Sequence, residues 1–251
     1  ESFECPLLAD PLSGLRTAAD PLVIDRYDTV LGAPFDALVP EAVIRFGRYP
    51  VSKRATAFLA NAGAFHIVVD PRETRGFNCA TGVHLGCTPL DFSQTMLAAK
   101  QGLGGEDAAD GRQRAFAAAC LEANAAASAR VDGVDAVEAG FEGAFVRRVA
   151  ERAPEGSCLF AANSMSVRAL DTFYAKGGRR LAVLCNRGLN GIDGTVSTAL
   201  GAAQHFEQTT LLTGDLTLLH DLNALALQRE LRVQRASGGL DRSIVIVLLN
   251  N

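Results

Sequence analysis

Short β-branched, apolar runs alternate along this chain with stretches whose apolar positions recur every three or four residues. That is the pattern of strands followed by helices. In the first half, Ala42-Val43-Ile44-Arg45-Phe46 and Phe65-His66-Ile67-Val68-Val69 read as buried strands bounded by Gly, Pro or Asp. Between them Ser52 to Ala62 fits a helix with Ser52 as its N-cap, which makes a βαβ unit with an expected right-handed crossover. The Gly/Asp-rich stretch from Gly102 to Gly111 reads as a surface loop. The Ala-rich run from Ala115 to Ala129 reads as a helix leading out of the domain.

The second half opens on Val134, Val137, Phe141, Phe145 and Val149, a spacing that predicts one apolar helix face. Strand and helix then alternate: Cys158 to Ala162 and Val167 to Tyr174, then Leu181 to Cys185 and Thr195 to Phe206. Thr210 to Thr213 and Leu218 to Leu231 follow, and Ile244 to Leu249 comes last. The alternation predicts an α/β fold of parallel sheets with helices on both faces. Two such domains are expected, one over residues 1–130 and one over 131–251.

Composition narrows the function classes. With 48% hydrophobic residues in 251, the chain can bury a large core, roughly 70–75% of its unfolded surface. Its longest apolar run, Ile244 to Leu249, is far short of the ~20 residues that span a bilayer. No charged-then-apolar leader opens the sequence, so a soluble, cytoplasmic protein without a membrane partner is expected. A net charge of −4 argues against a nucleic-acid surface. The six cysteines lack a CxxC pair and read as reduced thiols; the four histidines are too dispersed for a His-based metal site. The chain starts at Glu1 and stops just after a strand that reads as buried, and is therefore read as a piece of a larger polypeptide.

The chemistry collects where such sheets bind ligands, beyond the carboxyl ends of the strands. In the second half those ends read Asn163-Ser164-Met165-Ser166-Val167-Arg168, Asn186-Arg187-Gly188-Leu189-Asn190-Gly191-Ile192-Asp193-Gly194, Gly214-Asp215-Leu216-Thr217 and Asn250-Asn251. An Asp and an Asn at neighbouring strand ends can share a hard divalent cation, each giving an oxygen. Such a cation commonly carries a phosphate, and the helix expected after Asp215 would turn free N–H groups toward it. Arg168 and Arg187 on the same rim suit a substrate bearing carboxylates. Taken singly, Asp215 could cap its helix, the Asn pair could be a turn, the glycines could serve turns, and Arg168 could be solvated.

These words together resemble the 2-succinyl-5-enolpyruvyl-6-hydroxy-3-cyclohexene-1-carboxylate synthase family, thiamine-diphosphate enzymes of menaquinone and phylloquinone biosynthesis. The resemblance rests on Asn163-Ser164-Met165…Val167-Arg168, Asn186-Arg187-Gly188…Gly191-Ile192-Asp193-Gly194 and Gly214-Asp215-Leu216-Thr217-Leu218-Leu219-His220-Asp221-Leu222-Asn223-Ala224-Leu225. Leu8 to Arg16 and Arg45 to Lys53 resemble that family's central domain.

The resemblance implies a central Rossmann-like domain followed by a C-terminally incomplete cofactor domain. It implies a synthase that adds the succinic semialdehyde unit of 2-oxoglutarate, with loss of carbon dioxide, to isochorismate. Thiamine diphosphate with Mg²⁺ or Mn²⁺ is the implied cofactor. Asp215 and Asn251 would ligate the metal, and Gly214, Asp215, Leu216 and Thr217 would line the diphosphate. Gly191 and Ile192 would hold the aminopyrimidine. Lys53, Arg54, Ser164, Arg168 and Arg187 would bind isochorismate. No catalytic residue is expected in this chain, because the activating Glu belongs to a first domain that nothing here resembles. A homodimer or homotetramer is implied. Leu189-Asn190, Ala169 and an apparent insertion over 232–243 depart from the family pattern. Another thiamine-diphosphate 2-oxoacid decarboxylase or acetohydroxyacid-synthase-like enzyme, or a non-catalytic module of the same fold, are the alternatives.

Overall fold

Both larger sheets are wholly parallel, as strand–helix alternation requires. In this computed structural model residues 3–31, 39–72, 81–102, 111–134, 140–229, 233 and 242–250 are described. The chain divides into two units: Glu1–Leu7 with Tyr27–Ala127, and Leu8–Arg26 with Ser128–Asn251.

Near the start of the chain β1 (Leu7–Leu8) and β2 (Val23–Ile24) form a two-stranded sheet, and α1 spans Tyr27–Val30. The first unit then holds β3 (Ala42–Phe46), α2 (Lys53–Asn61), β4 (Phe65–Val69), β5 (Thr81–Leu85) and α3 (Pro89–Gly102), with strand order β3-β4-β5. Ser52 caps α2 as expected: its hydroxyl accepts the Ala55 N–H at 2.9 Å and donates to the Asp28 carboxylate at 2.5 Å. Thr88 and Asp91 open α3 reciprocally, the hydroxyl accepting the Asp91 N–H and the carboxylate accepting the Thr88 hydroxyl. Neither β5 nor α3 was legible from hydrophobic pattern, since Gly82 and His84 interrupt the strand.

The expectation that β3 is buried does not hold. It is an edge strand with Ile44 and Phe46 exposed, and its buried residue is Arg45, whose guanidinium stacks 4.1 Å over the Tyr49 ring. The Ala-rich run lies inside the longer helix α4 (Gly111–Val134), and the division between units falls within it, after Ala127. Most of the loop expected over 102–111 lies outside the described residues.

The second unit carries α5 (Glu142–Arg152), β6 (Cys158–Ala161), α6 (Met165–Phe173), β7 (Ala182–Leu184), α7 (Thr195–Ala202), β8 (Gln208–Gly214), α8 (Asp215–His220) and β9 (Ser243–Leu249). Its sheet has the order β7-β6-β8-β9. One core gathers Cys158, Phe160 and Leu211 of the sheet with Val196, Ala199 and Leu200 of α7, flanked by Phe206, Leu218, Leu225, Ile244 and Ile246. Phe141, the N-cap of α5, and Phe173 of α6 meet edge to face at 5.5 Å. Gly143 permits that approach, because a Cβ there would lie 2.3 Å from the Phe173 ring.

Three expectations for this unit need correcting. The apolar face of α5 is Gly143, Val146 and Ala150, while Phe145 is exposed. The 3–4 spacing had been extended through Val137, outside the described residues, and so misphased the helix. The single helix expected from Leu218 to Leu231 is broken after six residues of α8 and continues as a 3-10 helix over Leu222–Leu227. The cause is Asp221, whose backbone leaves helical geometry while its carboxylate accepts the Ser197 N–H at 2.7 Å and hydroxyl at 3.1 Å, capping α7 from another element. Finally, β9 is an edge strand whose Val245 and Leu248 are exposed, not a buried one.

The strap Leu8–Arg26 is bound to α6 by a charge in the interior. Arg16, 1% exposed, donates to the carbonyls of Ala9, Asp171 and Tyr174 at 2.7–2.8 Å and pairs with the Asp171 carboxylate. Lys176 closes the same strap on the carbonyls of Asp20, Pro21 and Val23. Removing one member of a buried pair strands the other charge. Asp171→Ala is therefore expected to destabilise the protein by about 3–5 kcal/mol, read as a lowered urea midpoint; a midpoint unchanged from the parent would contradict this account.

Candidate functional site

The order β7-β6-β8-β9 determines where a ligand can enter. From β6 the chain crosses to β7 on one side and then returns to β8 on the other. The loops leaving the carboxyl ends of β6 and β8 therefore diverge, opening a crevice at a topological switch point. Around this switch point stand the residues after β6 (Asn163, Ser164) and those at and just past the end of β8 (Gly214, Asp215), flanked by those after β7 and β9.

Gly214 pairs in register with Leu249, so Asp215 and Asn250 leave adjacent parallel strands side by side, about 5 Å apart in such a ladder. Asn251 lies outside the described residues. Asp215 is the first residue of α8 and is exposed; the cap residue is Gly214, which has no side chain to bond the N–H groups of the first turn. The first-turn amides include those of Leu216, 68% exposed, and Thr217, whose side chain is buried. This turn offers an anion N–H donors next to a carboxylate. Among the described residues no cluster of three His, Cys, Asp or Glu side chains could hold a metal by itself. The donor set suits a hard cation that brings its own phosphate and water oxygens.

The loop after β7 is organised by Asn163, which the strand-end pattern included without giving it a role. Its side-chain amide is buried and donates to the carbonyls of Asn186 at 2.8 Å and Gly191 at 3.0 Å. Its carbonyl accepts from Arg187 Nη1 at 3.1 Å and from the Cys185 thiol at 3.5 Å. Burial pushes the Cys185 thiol up to about 11, against the pull of the Arg187 charge, so it stays protonated at neutral pH. Gly191 has a local steric reason, since a Cβ there would lie 2.2 Å from the Asp193 carboxylate. Ile192 is partly exposed beside it. Gly194 caps α7 with φ at +63°, which a side chain would disfavour.

Ser164 stands at φ 66°, ψ −129°, a region costly for any residue but glycine, as the chain turns sharply from β6 into α6. Its hydroxyl accepts from Arg168 Nη2 at 3.3 Å. Arg168 and Arg187 thus bracket the pair Asn163-Ser164, one through each residue. Lys53 and Arg54 belong to the other unit, where they open α2, both exposed, with Arg54 donating to the Asp28 carbonyl at 3.2 Å. The second residue missed by pattern reading is Asp221, whose fit to a helix obscured its role as a cap for α7; the Asp-Leu-Asn that interrupts the apolar run was the available signal.

Parallel sheets with helices on both sides and a crevice at the strand carboxyl ends define an α/β fold consistent with the thiamine-diphosphate-binding enzymes. Compared with protein-family models, the chain matches none. Curated relatives are more informative. It is 38% identical to the 2-succinyl-5-enolpyruvyl-6-hydroxy-3-cyclohexene-1-carboxylate synthase of Desulfitobacterium hafniense, covering 100% of this chain and 43% of that protein. It is 35% identical to the enzyme of that name from Bacillus cytotoxicus, over 98% of this chain and 40% of the relative. To that of Halobacterium salinarum it is 39% identical, over 96% and 39%. The chain is homologous along its length to these synthases, and spans about two-fifths of the length of the curated relatives it matches.

Proposed function

We propose that this chain is the central and cofactor-binding portion of a 2-succinyl-5-enolpyruvyl-6-hydroxy-3-cyclohexene-1-carboxylate synthase, with residues 1–130 the central domain and 131–251 the cofactor domain. The observation that carries the reading is the register of β8 and β9, which brings Asp215 and Asn250 out of adjacent strands side by side, next to the first turn of α8.

The residues present fit thiamine diphosphate with Mg²⁺ or Mn²⁺. Asp215 and Asn251 would give the cation side-chain oxygens. The Leu216 and Thr217 amides following Gly214 would meet the diphosphate, where the helix end favours negative charge. Gly191 and Ile192 would hold the aminopyrimidine. When bound, this cofactor supplies the carbanion chemistry that decarboxylates a 2-oxoacid and transfers the remaining acyl unit. Arg168, Arg187 and Ser164 would bind the carboxylates and hydroxyl of isochorismate, and the resemblance gives Lys53 and Arg54 of the central domain a role toward the same substrate. The arginines hold a dianion by fixed, charge-assisted hydrogen bonds rather than by mobile water. In this reading the parent enzyme works as a homodimer or homotetramer, and the group that activates the cofactor comes from sequence beyond this chain.

The reading is tested with the full-length protein supplied with thiamine diphosphate, Mg²⁺, 2-oxoglutarate and isochorismate. Carbon dioxide release matched one to one by isochorismate consumption is the expected result. Release of carbon dioxide from a 2-oxoacid without isochorismate consumption would assign the protein instead to another thiamine-diphosphate decarboxylase.

A further inference from the structure

We infer that Asn163 is a positioning residue that locks the acceptor-binding arginine to the cofactor loop, so that the proposed site selects its carboxylate-bearing acceptor as one preorganised unit. The inference rests on the functional reading above and extends it to a residue with no assigned role. Asn163 is 6% exposed, and both ends of its amide are engaged: two carbonyls, of Asn186 and Gly191, take its N–H groups, while Arg187 and Cys185 donate to its oxygen. The amide can be oriented in one way only. Flipped, it would turn an oxygen toward two carbonyls and an NH₂ toward a guanidinium.

The geometry has a consequence for specificity. The Gly191 carbonyl belongs to the stretch proposed to hold the cofactor ring, and Arg187 is proposed to hold the acceptor. Both are tied to the same planar group at the end of β6, where Leu159 and Phe160 are themselves buried between β7 and β8. A displacement of the loop therefore moves the guanidinium with it. Aspartate is nearly isosteric with this amide but brings an oxygen where two carbonyls need a donor. Asn163→Asp thus releases the loop while keeping an acceptor for Arg187. Asn163→Ala removes the bond to Arg187 as well.

Two measurements on the full-length protein decide the matter. The first is hydrogen exchange of the cofactor-free protein. Two lost hydrogen bonds correspond to at least a roughly tenfold faster exchange of the amides from Asn186 to Gly194 in both variants, with β6 and α6 unchanged. Faster exchange throughout the second unit, or none in the loop, overturns the inference. The second is a double-mutant cycle with Arg187→Ala, reading KM for the acceptor. Asn163→Ala should raise that KM about tenfold in the parent and by less than about twofold once Arg187 is gone. Equal effects in both backgrounds overturn it. If the parent binds no thiamine diphosphate yet loop exchange still responds, the functional reading falls and the coupling of loop to arginine survives, so the two failures are distinguishable.

Discussion

Asp215→Ala in the full-length enzyme is expected to abolish metal-dependent binding of thiamine diphosphate. The carboxylate stands at the end of β8 beside the strand end that carries Asn250, and on the first turn of a helix whose cap residue is a glycine. Without it a divalent cation would lose its charged protein ligand, and the diphosphate its counter-charge. Loss of residues that merely orient metal ligands costs about 10–100-fold in affinity, so loss of a ligand should cost at least about 100-fold. Calorimetric titration with Mg²⁺ and with chelator provides the check. Parent protein binding the cofactor equally well in chelator, or a variant that binds as tightly as the parent, would exclude a metal bridge at this position. Helix stability should change little, because the cap residue is Gly214 and not Asp215.

Arg187→Ala should separate the two halves of the proposed reaction. Its guanidinium bonds Asn163 from the loop after β7, a different element from the first turn of α8, so its loss should remove a charge for the acceptor and leave the proposed anchors of the cofactor's diphosphate in place. Charge-assisted hydrogen bonds are worth about 1.5–3 kcal/mol, which predicts an acceptor KM raised about 10–100-fold. Decarboxylation of 2-oxoglutarate in the absence of isochorismate should stay within about twofold of the parent. A parallel loss in both half-reactions would mean that Arg187 supports the cofactor loop in general and is not an acceptor residue.

Much of this was legible before any coordinates. β3, β4, β6 and α2 fall within a residue or so of the runs that predicted them, because short β-branched segments and a Ser N-cap are local signals. The misphased α5 and the broken helix after β8 were not legible for a shared reason. Periodicity averages over a window, so it carried the pattern across a true boundary in one case and across Asp221 in the other. Burial of β3 and β9 was overestimated because an apolar run cannot reveal whether its strand ends up at the edge of a sheet.

By itself the sequence determined the alternation of strand and helix, hence a parallel α/β fold. It also determined which words stand at the strand ends: the arginine-bearing loops, the Gly-Asp turn and the Asn pair. Only the tertiary structure decided that β6 and β8 are neighbours, that Gly214 faces Leu249, and that one buried amide at Asn163 gathers Arg187 and Gly191. The reason is physical. Repeat periods of two and 3.6 residues are written in adjacent positions, whereas strand order and side-chain hydrogen bonds across loops are selected by the packing of distant segments.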